Sequence, residues 1–222
     1  MVIGDIQWRV SQRAKRCILK LDPLTGVVCV VLPRGIRRDQ VWHWVQSKQS
    51  WILRQQAKLK KPMQLLMMDR PFSVVMKPDQ AMIEWQDGEL ILGQHHRDQD
   101  VVYCLKHWAK KWLKPEVESI IEMTGLKPHS WQLRDPKSRW GSCSSKGNIM
   151  LSWRLVAMPH WVRRYVIIHE LCHLKYMNHS PAFWSMVHGL CPDTSKAKEW
   201  LTQYGHHVFK LDHPRSLIAK GF

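Results

Sequence analysis

The stretch His169-Glu170-Leu171-Cys172-His173 sets two histidines four residues apart, with a glutamate directly after the first. On an α-helix, positions i and i+4 lie about 40° apart and one turn above the other, so both imidazoles can reach one metal ion. The glutamate points to the side, beside a water carried by that metal. Two nitrogen ligands, an adjacent general base and an open coordination position are the arrangement of a zinc hydrolase. With thirteen histidines and seven glutamates in the chain, chance placement yields about 0.02 such matches, so the surroundings decide.

Those surroundings read as a helix. From Pro159 the chain runs P-H-W-V-R-R-Y-V-I-I-H-E-L-C-H-L-K-Y, and Pro159 suits a first helical turn. Val162, Val166 and Leu174 recur at helical spacing, and Ile167, Ile168 and Leu171 add apolar surface. A mostly apolar helix carrying His, Glu and His is a buried helix with a polar task. Cys172, about 100° round the helix from His173, reads as packing. A single buried histidine is ordinarily satisfied by a backbone carbonyl; the triplet argues against that reading here.

Catalytic zinc usually takes three protein ligands plus water, so a third donor is needed. His179 follows His173 by six residues in Y-M-N-H-S-P. Asn178 tolerates the left-handed conformation that ends a helix, and Ser180-Pro181 reads as an N-cap and a first-turn proline. A helix over about Ala182 to Leu190, with Phe183, Trp184 and Val187, would turn His179 back toward the metal. His188, one helix later, competes with it.

The 222-residue length allows one large domain or two small ones. A hydrophobic fraction of 45% and thirteen tryptophans support a real core. There is no signal-peptide pattern and no run of apolar residues long enough to span a membrane. The six cysteines lack C-x-x-C pairing and read as reduced thiols of a cytoplasmic protein. The net charge of +16 concentrates in Arg9–Lys20, Arg34–Lys61 and Lys106–Lys114. Such a field favours polyanionic partners: nucleic acid, nucleotides or acidic protein segments. An ordinary solvated basic face is an equal reading.

The expected fold class is α+β, with a smaller β-rich N-terminal region (residues 1–96) preceding a catalytic domain (residues 97–222). Cys17 to Leu32 reads as a β-hairpin about Asp22-Pro23-Leu24-Thr25-Gly26, followed by one basic helix from about Arg38 to Lys60. Phe72–Met76, Ala81–Trp85 and Glu89–Leu92 read as short strands, and polar Gln94–Gln99 as the boundary. A helix is expected from about Asp98 to Thr124, kinked or divided at Pro115 and closed by Gly125. His107 within it reads as a surface or packing residue. Gln132–Arg134 and Ile149–Trp153 read as strands flanking a polar loop, and Thr194–Tyr204 as a final helix ended by Gly205. The tail after it, with His206 and His207, is expected to be extended or loose, and those histidines receive no role.

Four separated motifs, R-W-G-S-C-S-S-K-G (Arg139–Gly147), S-W-R-L (Ser152–Leu155), H-E-L-C-H-L (His169–Leu174) and N-H-S-P-A-F-W (Asn178–Trp184), together resemble the YgjP-like metallopeptidase family. That family is related to the SprT-like and WLM zincin proteases. V-L-P-R-G and S-K-Q-S-W-I in the N-terminal half match it too, so the resemblance covers about residues 10 to 205. It implies a zincin-like catalytic domain in which one Zn²⁺ is bound by His169, His173 and His179, with Glu170 as general base. Cys172 stands where the family usually has a small residue. In zincins the strand before the active-site helix is commonly the edge that pairs with extended substrate. Ile149, Met150, Leu151 and Ser152 are therefore expected to bind substrate by β-augmentation. Trp140 is expected to be structural, and Arg139 to face the cleft or an acidic neighbour. Tyr165, Tyr176 and Arg139 are the candidates for oxyanion stabilisation, Tyr176 also as a substrate contact.

The expected activity is that of a zinc metallopeptidase acting on a peptide or protein. One rival is a zinc-dependent nucleotide (phosphoanhydride) pyrophosphatase using the same metal water. Another is a basic nucleic-acid-binding protein whose zinc is structural, with Cys143 or His188 as fourth donor. A cysteine hydrolase with Cys143 as nucleophile would need a histidine better spent on zinc.

Overall fold

In a computed structural model of the chain, residues 6–22, 26–59 and 66–218 are described. The chain divides into two compact units, Met1–Met63 and Gln64–Phe222.

In the first unit, β1 (Ile6–Ser11), β2 (Ile18–Leu21) and β3 (Val28–Pro33) form a sheet of order β1-β3-β2. The expected hairpin is present as the antiparallel β2–β3 pair; residues 23–25 of its turn lie outside the described residues. The alternation of β3 buries Val28, Val30 and Leu32 on one face, where they cluster with Val45 and Ile52. Those two come from α1 (Arg38–Ser47) and α2 (Gln49–Leu59), so the expected single basic helix is two, broken at Lys48. β1, paired parallel to β3, was not expected.

The second unit begins earlier than the polar stretch at Gln94 implied. Strands β4 (Leu66–Met67), β5 (Arg70–Pro71), β6 (Ser73–Met76), β7 (Glu84–Gln86) and β8 (Glu89–Leu92) belong to it. The physical reason is their core: Met67, Val74, Leu90 and Leu92 are buried in one cluster with the helices that follow. β4 and β5 turn through Met68 and Asp69, both at positive φ. For non-glycine residues this conformation is strained. It is held by a Met68 N–H bond to the Val156 carbonyl (2.9 Å) and by an Asp69–Arg163 ion pair (2.7 Å).

Helix α3 (Asp98–Thr124) runs through Pro115 without division. Its buried stripe Val101, Leu105, Ala109, Leu113, Val117 and Ile120 offers packing on both sides of the proline, which outweighs one lost hydrogen bond. Gly125 caps it at positive φ, as expected. Then come β9 (Ser130–Arg134), β10 (Gly141–Cys143), β11 (Asn148–Ser152), a 3₁₀ turn (Trp153–Ala157) and helices α4 (His160–Cys172), α5 (Pro181–Leu190) and α6 (Thr194–Val208). α6 continues past Gly205, because Trp140 packs against that glycine: a Cβ there would lie 3.2 Å from the indole ring. The tail is not loose as far as Ile218. It forms two 3₁₀ turns that bury Leu211 and Pro214. No helix among the described residues is long and apolar enough to cross a membrane.

Two arginines with under 2% exposure brace this unit. Arg163 bonds Glu116 (2.8 Å), Asp69 (2.7 Å) and the Met158 carbonyl (2.6 Å). Arg154 pairs with Asp212 and with Asp135 (2.6 Å), while Lys106 and the Trp153 indole N–H also donate to Asp135. Burial pushes the Asp135 carboxyl up, but the bonds from Lys106 and Arg154 and the Arg154 charge outweigh it and hold it below the usual carboxylate range. A carboxylate depressed in the folded state stabilises above its unfolded value, near 3.8; that stability fades as pH falls through the folded value. Asp135→Asn is expected to cost about 2 kcal/mol at neutral pH, a loss of roughly 4–8 °C in melting temperature. Thermal unfolding followed by circular dichroism should also show a shallower decline below pH 4 in the variant than in the native chain.

Candidate metal centre

Helix α4 is lined by buried Val162, Val166, Ile167, Ile168 and Leu171, and Glu170 and Cys172 are buried with them. It ends at Cys172, so His169 and Glu170 lie in its last turn and His173 at its boundary. Beyond His173 the chain folds back, with the Leu174, Lys175 and Tyr176 N–H groups bonding the carbonyls of Leu171 and Cys172. Asn178 is not left-handed; the turn closes through these bonds and the Ser180 cap on the Phe183 N–H (3.3 Å).

This turn orients the imidazoles. His173 Nδ1 lies 2.9 Å from the Tyr176 carbonyl oxygen. A carbonyl only accepts, so Nδ1 carries the proton and the lone pair of a neutral ring sits on Nε2. His179 Nε2 lies 3.1 Å from His169 Nε2. The three ring centroids are 4.8 to 5.1 Å apart, and one donor atom from each histidine falls within 4.8 Å of the others. Two nitrogens bound tetrahedrally to one zinc at its usual distance are about 3.3 Å apart, so the donor set fits that ion. Cys143 and His188 do not belong to this group. The His188 ring lies against Trp184.

Aromatic rings fix the imidazoles from behind. Fully buried Phe183 stacks on His173 at 4.6 Å, and Trp184 stacks on His179 at 5.6 Å. Lys198 Nζ sits 4.2 Å over Trp184. The Tyr165 hydroxyl is 3.5 Å from His169 Nδ1, a long contact. These supporting roles were not read from the sequence, although the adjacency of Phe183-Trp184 to N-H-S-P was the available signal. Burial pushes His169 down to about 4, with the His173, His179 and Lys198 charges adding to it. His179 is lowered for the same kind of reason, burial first. Both rings are thereby kept in the neutral, ligating form.

Glu170 is 7% exposed. Burial pushes its carboxyl up to about 7 against the opposing pull of Arg139. It packs against the backbone of Gly141: a Cβ at that position would lie 2.5 to 2.7 Å from Glu170 Cγ, Cδ and Oε1. Gly141 is thus a requirement of the site that the sequence reading missed. The cleft over the imidazoles, about 400 Å³, is walled by Arg139, Gly141, Ser142, Cys143 and Met177. Arg139 stands at the cleft.

The expected substrate edge is corrected. β11 is the middle strand, parallel to β9 on one side and antiparallel to β10 on the other. Its backbone is therefore already paired on both sides, and Ile149, Leu151 and Ser152 are buried, with Met150 only partly exposed. The sheet's two edges are β9 and β10, and the one that lines the cleft is β10, a strand hidden within what read as a polar loop. Tyr176 contributes its backbone carbonyl to His173, while its side chain is exposed.

A zinc titration by calorimetry should find one site per chain, and His179→Ala should weaken it by at least about tenfold. Among known proteins, a similar solved structure is that of the metallopeptidase zymogen of Pyrococcus abyssi abylysin, 27% identical over 44% of this chain and 86% of that one, with a TM-score of 0.31. No curated protein matches. The YgjP-like metallopeptidase domain matches residues 15–204, spanning both units and every motif around the three histidines. The chain belongs to the YgjP-like metallopeptidase family.

Proposed function

We propose that the chain is a zinc-dependent peptide hydrolase in which His169, His173 and His179 hold one Zn²⁺ and Glu170 is the general base. The observation that carries this reading is the convergence of three imidazoles beside a buried carboxyl. When bound, zinc supplies Lewis acidity, lowering the pKa of a water to about 7 and polarising the scissile carbonyl. Glu170 takes a proton from the attacking water and hands it to the departing amine. A carboxyl with a value near neutrality suits both halves of that transfer. Arg139, in the same cleft, favours the ionised form that accepts the proton.

Burial also pushes Tyr165 up to about 12, with the Glu170 charge adding to it. Its hydroxyl therefore stays protonated and supports His169 from the side away from the other two rings. Substrate lies along the unpaired edge of β10 as an added strand, because β11 has no free edge to offer. Family membership favours peptides over phosphoanhydrides as substrates. A purely structural zinc would need a fourth protein donor, and the converging group among the described residues holds three.

Glu170→Gln should retain zinc while losing at least about 10²-fold in casein hydrolysis; near-native activity would rule out the general-base role. Gly141→Ala should leave zinc content unchanged and lower kcat by about 10²-fold, because the new methyl displaces the Glu170 carboxyl. Metal analysis alongside initial rates checks both.

A further inference from the structure

Next to the metal cleft lies a second, larger cavity of about 620 Å³. The two meet at His173 and Met177, which line both. Three lysines face into the second cavity, Lys127, Lys146 and Lys175, together with His129, and no Asp or Glu lines it. All three lysines are exposed, and none takes part in an ion pair among the described residues. Lys106, Lys114, Lys137 and Lys196 of the same unit have carboxylate partners, while Lys77, Lys110 and Lys111, like these three, take part in no ion pair among the described residues; what sets these three apart is that they line one hollow. Three unpaired cations converge on one hollow without a local counter-charge.

The lysines also come from three separate elements whose backbones are tied down. Lys146 sits in the β10–β11 turn, closed by the Gly147 N–H to Ser144 carbonyl bond (2.9 Å) and the Asn148 N–H to Ser144 Oγ bond (3.1 Å). That turn is joined to the segment carrying Lys127 through the His129 N–H bond to the Gly147 carbonyl (2.9 Å). Lys175 lies in the turn after α4, held by its N–H bond to the Cys172 carbonyl (3.0 Å). The backbones that carry the three lysines are therefore fixed, so only their side-chain rotamers must order round an anion.

We propose that this cavity is a specificity subsite for an acidic side chain of the peptide substrate, beside the bond that is cut. The inference rests on the peptidase reading above and extends it to substrate class. A peptide along β10 reaches the cavity where β10 runs into the Ser144–Gly147 turn. The anion it presents there is a carboxylate, since the substrate is polypeptide. The lysines recognise it as point charges without demanding one orientation.

The test uses the zinc-loaded full chain and a set of fluorogenic peptides in which one Glu is exchanged for Gln, residue by residue, on either side of the cut. Glu at one fixed position should raise kcat/KM by about tenfold, the sum of several weak exposed ion pairs. Lys127→Glu/Lys146→Glu/Lys175→Glu should invert that preference toward Lys. Lys110→Glu/Lys111→Glu changes charge about 22 Å away along α3 and should keep it. Equal rates for Glu and Gln at every position, or an equal loss of preference in both variants, would overturn the subsite. Failure to cut any peptide would instead count against the peptidase reading. In that event, binding of the fluorescent Glu and Gln peptides to metal-free protein decides the subsite alone: equal affinities overturn it. Tight binding of a nucleoside triphosphate, lost in the triple variant and unaffected by acidic peptide, would also overturn it and assign the cavity to phosphates.

Discussion

One hydrogen bond, from His173 Nδ1–H to the carbonyl of Tyr176, joins the two halves of the candidate metal centre. On one side is a buried helix that ends with His173; on the other is the turn that brings back His179. Without that bond the His173 ring could rotate or protonate on the wrong nitrogen, and the turn would lose its inner anchor. With it, Nε2 is left as the donor atom. Phe183 and Trp184, the first aromatic residues of the next helix, then press two of the imidazoles into place. Ligand geometry is thus set by a single short segment, His169 to Trp184, whose apolar residues are driven inward and carry the polar ones with them.

The position of Glu170 depends on a longer chain of contacts. Arg154 is buried between Asp135 and Asp212 and lies over the rings of Trp153 and Phe209. Phe209 in turn packs on Trp140 at 5.0 Å. Trp140 precedes Gly141, whose bare α-carbon lets the backbone of β10 approach Glu170. A charge network distant in sequence thereby fixes how closely an edge strand rides over the carboxyl. The cost of burying Arg154 is offset only while both carboxylates stay ionised. The S-W-R-L and R-W-G-S-C motifs are, in this light, two ends of one brace.

Much of this centre was legible in the residues themselves. Spacing placed His169, Glu170 and His173 on one helix, and the Asn178–Pro181 turn pointed to His179 because caps and first-turn prolines obey local rules. Elements whose form depends on distant partners were not legible. The turn at Met68-Asp69 lacks glycine and exists because Arg163 holds Asp69. β10 looks like a loop because its three small or polar residues have no hydrophobic alternation; only pairing with β11 makes it a strand. That omission moved the expected substrate edge onto β11, whose apolar run reflects burial on both faces rather than an open edge. Pro115 and Gly205, both read as breaks, are overridden by packing on either side. The unit boundary fell at Met63 because the short strands from Leu66 to Leu92 share their core with α3 and α4, a fact no local composition carries.

In the proposed site three imidazoles, and no other side chain, hold the metal. X-ray absorption spectroscopy of the zinc-loaded protein tests it most directly. Expected are three imidazole nitrogens and one further light atom, all at about 2.0–2.1 Å, with no sulfur in the shell. A sulfur at about 2.3 Å, or a fourth imidazole, would contradict it and make the zinc structural.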